Sequence, residues 1–144
     1  MKIVVQKSKE ASVIINDKIY SDISSGLVLL VGFTEGDSLE QINYLAKKIV
    51  NLRIFEDERG IMNKSILDIG GEILSISQFT LYADSSKGNR PSYTKALSSD
   101  KATKLYSLFN EELSKYISVK TGVFGADMKV KLINDGPCTI ILEK

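Results

Sequence analysis

Two stretches of this chain put polar atoms where they could do chemistry. Ser77-Gln78-Phe79-Thr80 closes an apolar run, and Asn134-Asp135-Gly136-Pro137-Cys138-Thr139 stands near the C-terminus. The chain has no histidine, one cysteine and no tryptophan. Ser-His-Asp and Cys-His arrangements are therefore excluded. Any hydrolysis would draw on hydroxyls, amides, backbone groups or the substrate itself. A Ser-Lys or Thr-amine device is compatible with the composition, but no spacing singles one out. Taken alone, Ser77 and Thr80 read as hydroxyls satisfying a turn. Gly136-Pro137 alone reads as a turn between two strands. An X-Pro bond can also be cis at modest cost, and glycine takes backbone angles closed to other residues. A cis Gly-Pro could then aim consecutive carbonyls outward with no side chain in their way.

Cys138 sits among β-branched residues and reads as a small core hydrophobe. As the single cysteine it excludes an internal disulfide and any multi-cysteine zinc site. Acidic residues are scattered without His or Cys companions, so no metal is expected. Glu56-Asp57-Glu58 reads as a solvated turn before Arg59-Gly60.

The elements that must position these residues follow from periodicity. Residues 2–7 read as a buried strand. Val13-Ile14-Ile15 and Lys18-Ile19-Tyr20 flank Asn16-Asp17, a two-residue hairpin turn. The run from Leu27 to Phe33 has the near-continuous apolarity of a strand covered on both faces. Ser38 with Gln41 resembles a capping box, and Leu39, Ile42, Leu45, Ile49 and Leu52 recur at helical spacing. Residues 73–77 form another strand, ending in the Ser77–Thr80 motif. Residues 85–95 read as an exposed loop with Lys87, Arg90 and Lys95 and no acid. A second helix begins near Ser98-Ser99-Asp100, with Ala102, Leu105, Phe109, Leu113 and Tyr116 on one stripe. Met128, Val130 and Leu132 alternate with Lys129, Lys131 and Ile133 in a strand with one wetter face, and residues 138–142 make the last strand. The expectation is an α/β fold: one domain over residues 1–144, a largely antiparallel mixed or barrel-like sheet, and two main helices.

Composition bounds the function. At 144 residues the chain can bury a core without disulfides or metal. Nineteen basic against eighteen acidic residues give a net charge of +1. That balance argues against broad, non-specific binding of nucleic acid, so DNA is not expected, but it leaves room for an RNA end held by a local patch. Only Ile3-Val4-Val5 follows Lys2 before polar residues, too short for a signal peptide, and no run approaches a membrane span. A cytoplasmic protein without a membrane partner is expected.

Seven segments in order resemble the D-aminoacyl-tRNA deacylases: VVQK, ASVII, GLVLLVGF, GGEILSISQFTLYAD, KGNRPSYTKA, TGVFGADMKVKLINDGPCT and the closing apolar strand. The resemblance spans nearly the whole chain. It implies a homodimeric enzyme that hydrolyses the ester of D-aminoacyl-tRNA, and of glycine on a non-cognate tRNA, without cofactor or metal. It places Ser77, Gln78, Phe79 and Thr80 along the catalytic pocket. Gly136 and Pro137 would enter that pocket from the neighbouring subunit as a Gly-cisPro pair whose carbonyls reject the side chain of an L-amino acid. Ala102, Phe124, Gly125 and Met128 map onto the pocket for the terminal adenosine of the tRNA 3′ end; on their own residues, Phe124 and Met128 read as core filling. Family members usually carry arginine where Lys7 stands, thought to support the Gly-Pro carbonyls, and valine in place of Cys138. Lysine keeps the charge at that position but loses the planar fork. Two other readings stay open: an RNA-end-binding module without catalysis, and a related deacylase with a trans Gly-Pro that acts on a small L-amino acid. A structural homodimer whose Gly-Pro closes a hairpin is a blander third.

Overall fold

The computed structural model describes all 144 residues. The chain opens with β1 (Lys2–Ile15), turns at Asn16-Asp17 into β2 (Lys18–Ile23) and continues into β3 (Gly26–Gly32). Both turn residues have positive φ, 50° and 59°, as a two-residue hairpin requires. Helix α1 (Leu39–Val50) follows. Ser38 and Gln41 close the capping box in both directions, an arrangement whose loss to alanine costs about 1 kcal/mol. A small hairpin, β4 (Phe55–Glu56) and β5 (Met62–Lys64), leads to the one-turn helix α2 (Ile66–Ile69) and then to β6 (Glu72–Ser77). A 3₁₀ turn over Phe79–Tyr82, helix α3 (Ser99–Ser114), β7 (Val119–Thr121) and β8 (Lys129–Glu143) complete the chain.

The main sheet runs β2-β1-β3-β6-β7, with β8 paired along the other edge of β1. β1 pairs antiparallel with β2, β3 and β8, whereas β3–β6 and β6–β7 are parallel. Ser21 Oγ on β2 donates to the Thr121 carbonyl on β7 at 2.8 Å. That bond brings the two ends of the sheet together and nearly closes a barrel. Leu27, Leu29 and Val31 of β3 face the larger core with α1 and α3, while Val28 joins Val13, Leu74 and Ile76 inside the curved sheet. The alternation explains why β3 is apolar at every position. Val130 and Leu132 pack onto the inner cluster, and Lys129 and Lys131 point outward. The fold class is the expected one, and no helix is long and apolar enough to cross a membrane.

Several local expectations are corrected. The two strand segments expected at residues 2–7 and 13–15 are one strand of 14 residues. Likewise the strands expected on either side of Gly136-Pro137 are one strand, β8, of 15 residues. Its two limbs pair with the same β1 in the same direction: Gln6 opposes Thr139 and Ser8 opposes Asn134. Two steps along β1 therefore face five along β8, and the surplus bulges outward. Gly136-Pro137 is the crest of that bulge and closes no hairpin. On α3 the inward stripe is Ala102, Tyr106, Phe109 and Leu113; Tyr116 lies past the helix end and is exposed. Of the acidic run at 56–58, expected as a turn, Glu56 ends β4 and the turn begins only after it, with Asp57 Oδ1 accepting from the N–H of Arg59 at 2.9 Å and of Ile61 at 3.1 Å.

Candidate active site

A cleft of about 300 Å³ opens at the C-terminal end of β6. The parallel pairing of β6 with β3 sets its floor: Val31 lies opposite Ser77, and Gln78 N–H donates to the Val31 carbonyl at 2.7 Å. The chain then leaves the sheet and turns once through Phe79–Tyr82. Ser77, Gln78 and Phe79 line one side of the cleft, Ala102 comes from α3, and Phe124, Gly125 and Met128 come from the segment after β7. Seven of the residues singled out in the sequence thus meet in one place. Thr80 does not line the cleft, but its hydroxyl accepts a hydrogen bond from Gln78 Nε2 at 2.5 Å. Gly122 leaves room for the Met128 side chain, since a Cβ there would stand 2.5 Å from Met128 Sδ.

Sequence reasoning missed Val31, Phe33, Leu97, Ala126 and Asp127, which also line the cleft. Ala126 and Asp127 fall inside the TGVFGADM segment already recognised. Val31, Phe33 and Leu97 reach the cleft through pairings no local pattern announces: Leu97 N–H donates to the Phe33 carbonyl at 2.9 Å.

The basic loop is tied back on itself and meets the site at Phe79. Asp84 and Ser92 exchange two backbone hydrogen bonds at 2.8 Å, and Lys95 Nζ lies 3.1 Å from Asp84 Oδ2. Hydrogen bonds from Ser86, with Lys95 beside it, hold the Asp84 carboxyl far below the usual carboxylate range. Tyr93 meets Phe79 edge-on, ring centroids 5.1 Å apart. Lys87 and Arg90 are exposed.

Gly136 and Pro137 are elsewhere. They line a separate opening of about 510 Å³ with Lys7, Glu56, Asp135, Cys138 and Thr139. The Gly136–Pro137 peptide bond is cis, and Gly136 has φ +120°. Asn134 braces the bulge from below: its Oδ1 accepts from Cys138 N–H at 3.2 Å, and its Nδ2 donates to Thr139 Oγ1 at 2.9 Å. Lys7 Nζ lies 3.1 Å from Asp135 Oδ2, and Lys9 Nζ lies 3.5 Å from Oδ1. The hydrogen bond from Lys7 is the main reason the Asp135 carboxyl titrates below its usual value. Asp135, the partner of Lys7, is the residue before Gly136. Cys138 is partly buried against the larger core.

The same fold occurs in solved structures. The chain is similar to a c-Myc DNA unwinding element binding protein, at 41% identity and TM-score 0.95, covering 100% of this chain and 99% of that one. A probable eukaryotic D-amino acid tRNA deacylase shares the fold at 17% identity and TM-score 0.83, covering 98% of this chain and 97% of that one. With the family comparison, the class these features define is a hydrolase of the deacylase kind, acting on an aminoacyl ester of tRNA. The chain belongs to the D-Tyr-tRNA(Tyr) deacylase family, whose model matches residues 4–143.

Proposed function

We propose that the cleft hydrolyses the ester of D-aminoacyl-tRNA, and of glycine mischarged on a non-cognate tRNA, while a backbone filter at Gly136-Pro137 rejects L-amino acids. The observation that carries this reading is the convergence of Ser77, Gln78 and Phe79 with Ala102, Phe124, Gly125 and Met128 on one cleft. Such a cleft suits a substrate with an ester at one end and a nucleoside at the other. Phe124 offers a face for base stacking, and Ala102 and Gly125 leave room for the adenosine.

The ester is already activated, so the chemistry asks for little more than a placed water, a stabilised oxyanion and exclusion of the wrong enantiomer. The N–H groups of Phe79 and Thr80 open a helical turn and have no partner within it, which suits them to the developing oxyanion. Water attacks the carbonyl carbon, the tetrahedral intermediate collapses, and the bond to the ribose oxygen breaks with a proton delivered to that oxygen. In a chain without histidine, the neighbouring ribose hydroxyl of the substrate is the group best placed to relay that proton. Ser77, Gln78 and Thr80 then position rather than attack.

Within one chain Gly136-Pro137 and the cleft line separate openings. A second copy of the chain, in a homodimer, would supply the pair to the cleft. The open edge supports this: β8 pairs only with β1, contains no fully buried residue, and leaves Ile133 and Ile141 50% and 67% exposed. A bare edge of that length is normally covered. Carbonyls at the substrate Cα leave room for hydrogen but not for a methyl group. The filter would therefore admit glycine and D-residues alike, whatever the side chain. The cytoplasm, where tRNA is charged, is the setting. The name of the 41% identical protein refers to a DNA element; the net charge of +1 here favours an RNA end over a charge-held duplex.

The test is incubation with D- and L-aminoacyl esters of one tRNA. The expected result is rapid hydrolysis of the D-ester and of glycyl-tRNA, with the L-ester spared. Equal rates for D- and L-esters would remove the filter, and binding without turnover would leave an RNA-end-binding module.

A further inference from the structure

Ser75 lies two residues before Ser77 on β6, and its carbonyl accepts two hydrogen bonds. One comes from the N–H of Gly122 at 3.0 Å and the other from the Tyr106 hydroxyl at 2.7 Å. The three segments joined at this oxygen carry Ser77–Phe79, Ala102 and Phe124–Met128 to the cleft. β6 runs on into Ser77–Thr80, Gly122 leads to Phe124–Met128, and α3 presents Ala102 one turn before Tyr106. Tyr106 is 5% exposed and is not itself in the cleft wall. Its ring packs against Phe124, centroids 5.9 Å apart and planes inclined at 52°. One side chain therefore touches the nucleoside wall with its ring and the strand leading to the hydrolytic end with its tip. Close by, Ser75 Oγ and Asn110 Oδ1 are buried with no partner. Burial raises the phenol pKa, so the hydroxyl keeps its donor proton at any neutral pH.

We propose that Tyr106 is a positioning residue for deacylation, holding the nucleoside-binding wall in register with the ester-cleaving end of the cleft. The proposal rests on the reading of Ala102, Phe124, Gly125 and Met128 as the adenosine pocket. A bound aminoacyl-adenosine is gripped at one end and attacked at the other, so the offset between the two ends decides whether the water meets the carbonyl. Small misplacements of that kind lower the rate steeply while leaving the grip intact. Adenosine alone touches one end and does not sense the offset.

The experiment compares wild type with Tyr106→Phe, which keeps the ring against Phe124 and deletes only the donor. Single-turnover deacylation of D-tyrosyl-tRNA gives the rate, and titration with free adenosine gives the affinity of the nucleoside wall. The expected result is a rate about tenfold lower with adenosine affinity within about twofold of wild type. Leu113→Ala is the control, because Leu113 is fully buried on the same helix and stands outside the cleft wall. It should lower the melting temperature without changing the rate at a temperature where the variant is folded. A Tyr106→Phe rate within twofold of wild type overturns the proposal, as does an equal fall in folded Leu113→Ala. Unfolding of Tyr106→Phe overturns it too, since a positioning contact leaves the fold standing. Phe124→Ala tests the underlying reading separately: unchanged adenosine affinity in that variant removes the nucleoside pocket. If Phe124→Ala weakens adenosine while Tyr106→Phe leaves the rate intact, only the junction falls.

Discussion

Replacing Thr80 with valine separates a threonine that attacks from one that positions. Valine keeps the branched shape and removes the hydroxyl. In the structure that hydroxyl accepts from Gln78 Nε2 at 2.5 Å, and an amide nitrogen cannot take the proton a nucleophile must lose. If Thr80 only positions Gln78, the substitution removes one hydrogen bond with a net value of about 0.5–1.5 kcal/mol. That corresponds to a fall in rate of about twofold to tenfold. If Thr80 forms an acyl-enzyme, the fall should approach the order of 10⁶ known for deletion of a nucleophile. The assay is single-turnover release of D-tyrosine from labelled tRNA, with folding checked by circular dichroism. A companion substrate whose terminal adenosine lacks the 2′-hydroxyl should lose more rate on the wild-type enzyme than Thr80→Val loses on the normal substrate. A folded Thr80→Val enzyme slowed more than a thousandfold would refute the reasoning, and a fully active deoxy substrate would refute the proton relay.

Neutralising Lys87, Arg90 and Lys95 together should weaken tRNA binding and flatten its salt dependence. Lys95 is engaged with Asp84, so the slope of log K against log salt should fall by the equivalent of about two phosphate contacts, roughly 1.4; an unchanged slope would show that the loop does not meet RNA. Gly136→Ala should slow D-ester hydrolysis at least about tenfold with the fold retained, because at φ +120° the new Cβ stands 3.0 Å from the Cys138 nitrogen and the crest must shift; a variant with wild-type rate and D-over-L ratio would contradict this. Burial, with lesser effects from Asp37 and Glu143, pushes the Tyr82 phenol up to about 12. Its contribution to stability is therefore full below the ordinary value of about 10 and is lost as pH rises toward 12. Tyr82→Phe should move the alkaline unfolding midpoint to higher pH by circular dichroism, and an unmoved midpoint would count against it.

What could be read in advance was local. Ser38 and Gln41 announced α1 because a capping box is completed within four residues, and Asn16-Asp17 announced its hairpin because the turn needs two residues tolerant of positive φ. The alternation of Val130 and Leu132 with lysines gave the inward face of β8. What could not be read was set by distant pairing. β1 and β8 are each interrupted in pattern, by Ser8-Lys9-Glu10 and by Asp135-Gly136-Pro137, and look like pairs of short strands until laid side by side. The parallel β3–β6–β7 order has no local signal at all. At the site, the resemblance located residues by motif, and seven of them do share a cleft. It did not reach Leu97 and gave no site role to Phe33, the last residue of GLVLLVGF; both arrive at the cleft through the fold. Tyr106 escaped because helical spacing drew the stripe through Leu105 and Tyr116, whereas the buried positions follow Ala102, Tyr106, Phe109 and Leu113.

The bulge at Gly136-Pro137 behaves as a cantilever clamped at both roots. Each limb of β8 is pinned to β1, at Asn134 opposite Ser8 and at Thr139 opposite Gln6, and Asn134 ties one root to the other. The ends of the excursion are thereby fixed in space, and the length between them sets how far its crest projects. Adding or removing a residue between the clamps changes that reach without sliding either limb along β1. The sheet is insulated from alterations at the crest, so the geometry of the tip can be tuned while the barrel that carries it stays as it is.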